Sequence, residues 1–68
     1  MVKGNNYEYL KIVNFADKNN YNVEELGNNG IGQNFILLQH EEKDIILSFV
    51  LTGVGNNQYI YECVYSDL

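Results

Sequence analysis

Arginine, proline and tryptophan are absent from this 68-residue chain, and cysteine and histidine occur once each, as Cys63 and His40. A single cysteine closes no disulfide within the chain, and Cys63 with His40 falls short of the ligand set of a structural zinc site. With no arginine and only Lys3, Lys11, Lys18 and Lys43 as cations, the sequence lacks the clustered positive charge that neutralises nucleic-acid phosphates or an anionic membrane. No apolar run approaches the roughly 20 residues of a membrane-spanning helix, and the opening MVKGNNYEYL carries no apolar signal core. The expectation is a cytoplasmic protein with a reduced thiol that binds neither nucleic acid directly nor a membrane.

What the chain does contain is acid, asparagine and β-forming residues. Nine acids against four lysines give a net charge of −5. Asparagine stands at 5, 6, 14, 19, 20, 22, 28, 29, 34, 56 and 57, a usage that AT-rich codons would produce and that hints at a low-GC bacterium or its phage. A chain this short buries only about 60% of the surface its unfolded form exposes, which leaves room for one core, a single domain over residues 1–68, and marginal stability. Good packing, self-association or a partner must supply the remainder.

The first element reads as a helix. Asn5 can cap it, with Glu8 three residues on as capping-box partner. Tyr9, Ile12, Val13 and Ala16 follow at i, i+3, i+4 and i+7, with Leu10 and Phe15 at the margins, so one face is apolar. Asn19 and Asn20 tolerate the left-handed conformation that ends a helix. From Tyr21 the period changes to two, and residues 21–26, 34–40, 44–52 and 58–65 read as strands joined by connections too short for parallel crossovers. The predicted fold class is α+β, an N-terminal helix packed on one face of a four-stranded antiparallel β-meander.

The stretch GNNGIG, residues 27–32, superficially resembles a phosphate loop. A dinucleotide loop needs its glycines in the order G-x-G-x-x-G between a strand and a helix, whereas here the order is reversed and QNFILLQ, a strand pattern, follows. Asn29-Gly30 instead suits the two central positions of a type I′ hairpin turn. That turn would set Val23 opposite Ile36 and Tyr21 opposite Leu38. A following turn centred on Glu42-Lys43 sets Leu38 opposite Leu47 and Ile36 opposite Phe49. For the last hairpin, a three-residue loop Gly55-Asn56-Asn57 places Tyr61, Cys63 and Tyr65 beside Leu51, Phe49 and Leu47, and keeps the Glu62 carboxylate out of the core.

One face of the sheet then collects Tyr21, Val23, Ile36, Leu38, Ile45, Leu47, Phe49 and Leu51, and the helix covers it. The other face carries Phe35, Leu37, Ile46, Val50, Ile60 and Val64 among Asn22, Glu24, Ser48, Thr52 and Glu62. One helix cannot cover both faces. These six apolar residues are the candidate partner-binding residues, because contiguous exposed apolar surface marks interaction sites.

No catalytic, metal or cofactor site is expected. His40 beside Glu41, Glu42 and Asp44 reads as a solvated turn, since no nucleophile or second catalytic group accompanies it. Cys63, mid-strand and distant in sequence from any lysine, reads as an inert buried thiol. Ser48 and Ser66 are equally unsupported as nucleophiles. The tyrosines at 7, 9, 21, 59, 61 and 65 lack the cationic groove that a base-stacking platform requires, and read as core and rim packing.

The sequence therefore points to a non-enzymatic interaction module that forms a homodimer or binds another protein through its open sheet face. The alternative is an acidic inhibitor or nucleic-acid mimic that occupies a basic site on a host protein through Glu24, Glu25, Glu41, Glu42 and Asp44. In outline, a small acidic chain with a helix leading into an antiparallel sheet resembles some phage-encoded inhibitors, anti-CRISPR proteins among them, although no motif carries that resemblance. It is also superficially like the start of a double-stranded-RNA-binding domain, without that domain's closing helix and basic residues.

Overall fold

The computed structural model describes residues 1–28 and 33–68, which run β1 (Asn6–Glu8), α1 (Tyr9–Lys18), β2 (Tyr21–Asn28), β3 (Gln33–His40), β4 (Ile46–Gly55) and β5 (Gln58–Ser66). The strands form one antiparallel sheet in the order β1-β5-β4-β3-β2. The fold is α+β as the pattern predicts, with five strands rather than four.

The additional strand occupies residues that the capping pattern assigned to the helix start. Asn6, Tyr7 and Glu8 pair with Glu62, Tyr61 and Ile60, and just before them Gly4 N–H donates to the Cys63 carbonyl at 2.7 Å while Cys63 N–H donates to the Asn5 carbonyl at 2.9 Å. Without this segment β5 would be an open edge with unpaired backbone groups, so ladder bonds outcompete the capping box. The helix begins at Tyr9, and Glu8 at its N-cap makes no side-chain capping bond. Its end is as expected. Asn19 sends both its backbone N–H and its side-chain amide to the Phe15 carbonyl, at 3.1 and 2.9 Å, and Asn20 adopts φ 63° to turn the chain into β2.

The helix buries Ile12 and Ala16 against Tyr21, Ile36, Leu38, Leu47, Phe49, Tyr61 and Cys63 of the sheet. Tyr7 adds an edge-on ring contact to Phe49 at 6.2 Å. The β3–β4 register is the expected one, with Leu38 opposite Leu47 and Ile36 opposite Phe49. In the β2–β3 hairpin Val23 pairs with Leu38, Glu25 with Ile36 and Asn28 with Gln33, two residues away from the register that a turn at Asn29-Gly30 implies. The turn itself lies outside the described residues. An even shift leaves every side chain on its expected face. It also sets Tyr21 opposite His40, where its ring lies edge-on to the imidazole at 4.9 Å and 5.4 Å from Phe15. Val23, expected in the core, is 38% exposed near the outer end of its row.

The β4–β5 hairpin departs from the predicted three-residue loop. Gly55 pairs with Gln58 across a two-residue turn of Asn56 and Asn57, at φ 50° and 63°. A bulge then leaves Thr52 out of the ladder, with its hydroxyl donating to the Ile60 carbonyl at 3.2 Å. This restores the Leu51–Tyr61 and Phe49–Cys63 pairs and keeps Glu62 off the core face. A second bulge leaves Val64 unpaired and sets Tyr65 opposite Ser48, on the open face instead of beside Leu47. Left-handed backbone costs about 1–2 kcal/mol for most residues and little for glycine or asparagine. Asn57→Gly is therefore expected to leave the urea midpoint unchanged or raised. Asn57→Val should lower stability by about that 1–2 kcal/mol.

Candidate interaction face

Residues opposite one another in neighbouring strands share a face of the sheet. On the face away from α1, one row runs Leu26, Phe35, Val50, Glu62 and Asn6, and the next runs Glu24, Leu37, Ser48 and Tyr65. Ile46 lies beyond the second row, opposite Gln39, and Ile60 beyond the first, opposite Glu8. Val64 projects from its bulge. Phe35, Leu37, Ile46 and Ile60 are half-buried by their neighbours, while Val50 and Val64 are 38% and 36% exposed. Among the described residues, the core that α1 covers is built from Tyr21, Ile36, Leu38, Leu47, Phe49, Tyr61 and Cys63, all off this face.

Leu26, 41% exposed and opposite Phe35, extends the patch. Leu26 is the last residue of the predicted strand 21–26 and is not among the six candidates, although alternation from Asn22 and Glu24 puts it on this face. Glu24 and Glu62 flank the apolar centre, with Glu62 opposite Val50 and Ser48 opposite Leu37.

The other residues weighed from sequence have structural positions. His40 Nδ1 accepts the backbone N–H groups of Glu42 and Lys43, both at 3.0 Å, and thereby organises the turn that follows it. The acids around it converge on nothing, and no group of three or more histidine, cysteine or acidic residues that could hold a metal occurs among the described residues. Cys63 is buried, with its thiol donating to the Tyr65 carbonyl at 3.4 Å. Of the six tyrosines, 21 and 61 are core, 7 and 9 pack against it, and 59 and 65 are exposed. No described buried side-chain polar atom lacks a hydrogen-bond partner. A cleft of about 120 Å³ opens between Glu8, Tyr9, Leu10 and Tyr59.

Several ionisable groups are displaced in one direction. Burial, and then the Glu25 carboxylate, push the Tyr9 and Tyr61 phenols up, and Tyr9 donates to Glu25 at 2.9 Å. Burial likewise raises the Cys63 thiol. The Tyr65 hydroxyl is raised by donating to Asp67 at 2.6 Å, which in turn holds the Asp67 carboxyl low, helped by the Ile46 N–H. The unfolded chain releases the thiol and phenol protons first as pH climbs through about 8.5 and 10, so native stability falls there. Asp67 acts oppositely, its contribution present above about pH 3.9 and lost as acid reaches its lower folded value. The urea midpoint is expected to drop between about pH 7.5 and 10.5. A flat midpoint over that interval contradicts the packing described for Tyr9, Tyr61 and Cys63.

Among the described residues no helix is long and apolar enough to cross a membrane. No protein family, curated protein or solved structure matches the chain.

Proposed function

We propose that this chain is a small non-enzymatic interaction module that self-associates or binds another protein through the uncovered face of its sheet. The observation that carries the reading is the row Leu26, Phe35 and Val50, with Leu37, Ile60 and Val64 around it, on a face that the helix leaves bare. A second copy is the occupant to test first. Two such faces can stack as a sheet sandwich about 10 Å apart, each filling the other's apolar rows. That burial supplies what a core of this size lacks.

The alternative, an acidic inhibitor of phage type acting at a basic host site, would use Glu24, Glu25, Glu41, Glu42 and Asp44. Pairing sets Glu24 on the open face and Glu25 on the helix side, while Glu41 lies near Asn20 at the far end of the hairpin, where its N–H donates to the Asn20 carbonyl at 3.0 Å. This spread favours the apolar face as the primary surface. Salt separates the readings, since charge-driven binding to a basic target weakens steeply as salt screens it and apolar association does not. The test is the solution mass of the purified chain at low and high salt, alongside Val50→Glu. A dimer that survives high salt and disappears in Val50→Glu supports the open face.

A further inference from the structure

The sheet has two edges, and they are unlike. β1 is a three-residue strand, short enough to offer little to a neighbour, whereas β2 spans eight residues and has no strand beyond it among the described residues. Asn22 to Gly27 are all exposed, and the edge carries no proline, lysine or arginine to deter an incoming strand. Its backbone polarity follows from the ladder. Glu41 N–H bonds to the Asn20 carbonyl and His40 N–H to the Ile45 carbonyl, so Asn20, Asn22, Glu24 and Leu26 direct their backbone groups toward β3. Val23 and Glu25 direct theirs away from the sheet, and among the described residues neither bonds to another segment.

We infer that this edge accepts an extended, basic segment of a partner protein as a sixth strand. The side chains choose that occupant. Glu24 points to one face and Glu25 to the other, with Val23 and Leu26 on either side of the pair. Among the described residues no ion pair engages either acid, and Glu25 accepts a hydrogen bond from the Tyr9 hydroxyl. A second copy pairing antiparallel through the middle of β2 would set Glu24 or Glu25 against its own counterpart, and like charges directly opposite are destabilising. The complement is an apolar-Lys-Lys-apolar strand. One lysine meets a carboxylate on each face, and Val23 and Glu25 supply the backbone bonds of strand addition. The inference concerns a different surface from the open face and stands without it.

The probe is the N-acetylated, C-amidated hexapeptide TVKKVT, titrated into the full chain by calorimetry, with TVEEVT as the charge-reversed control. TVKKVT should bind and TVEEVT should not. In Glu24→Lys/Glu25→Lys the preference should invert, each peptide changing by at least about tenfold, as expected for like-charge juxtaposition. Val23→Pro removes an outward N–H without touching the ladder to β3, a position where edge proline is tolerated, and should weaken TVKKVT while the circular dichroism of the chain is kept. Amide exchange at Val23 and Glu25 should slow when the peptide is bound. Val50→Glu should leave peptide binding intact, which separates this edge from the open face. Failure of TVKKVT to bind at millimolar concentration, equal binding of both peptides, or binding without protection of the Val23 and Glu25 amides would overturn the inference.

Discussion

Phe49→Ala is expected to leave the chain largely unfolded at room temperature. Phe49 is fully buried, sits between Ile36 and Cys63 in the central rows of the sheet, and takes the edge of the Tyr7 ring. Truncating a buried phenylalanine to alanine costs about 3–5 kcal/mol, because the lost transfer energy is joined by a cavity that the surroundings only partly fill. A core in a domain of this size rarely supplies more than about 3–5 kcal/mol in total, so the substitution removes a share comparable to the whole. Loss of the cooperative urea transition checks this. A variant with an unchanged midpoint would mean that the helix does not press on this row.

The second large effect comes one residue later and on the opposite face. Val50→Glu should keep the fold and weaken self-association by at least about a hundredfold, since desolvating an unpaired carboxylate costs several kcal/mol and each 1.4 kcal/mol is about tenfold. Val50 lies opposite Glu62, so the new acid also meets a like charge within the monomer, at a cost of about 0.2–1 kcal/mol. Val50→Lys removes that complication by giving Glu62 an opposite charge. Both variants should be monomeric with an intact urea transition. If both retain native association, the contact lies elsewhere on the molecule.

The neighbouring substitutions also mark what the sequence makes legible. Alternation in β3 and β4 assigns Ile36, Leu38, Leu47 and Phe49 to one face and Phe35, Leu37, Ile46 and Val50 to the other, and the charged cluster at 41–44 sets their register. The period of two is a strong local signal. Residues 6–8 were illegible for a physical reason: Asn5 and Glu8 satisfy a capping rule locally, but the open edge of β5, more than fifty residues later, recruits them into the sheet. No local pattern contains that contact. The bulge at Val64 is illegible in the same way, because alternation alone gives no sign of where a strand admits an unpaired residue, whereas Gly53 and Gly55 signal the backbone freedom that the bulge at Thr52 uses. Tyr65 consequently changed faces, and Val64 kept its expected exposure by a different route.

His40 is the reverse case, a residue that draws attention as possible chemistry and has a place in the architecture of the turn that follows it. Its ring nitrogen accepts two successive backbone N–H groups, so the histidine holds the charged 41–44 segment in place. A histidine at a strand end followed by a run of acids is the sequence signal that fits this role.

The open face is tested most directly by the light-scattering mass of the native chain across a concentration series in high salt. The account predicts a rise with concentration from 7.8 kDa to twice that value, undiminished by salt. A mass of 7.8 kDa at every concentration would contradict self-association through the face formed by Leu26, Phe35 and Val50.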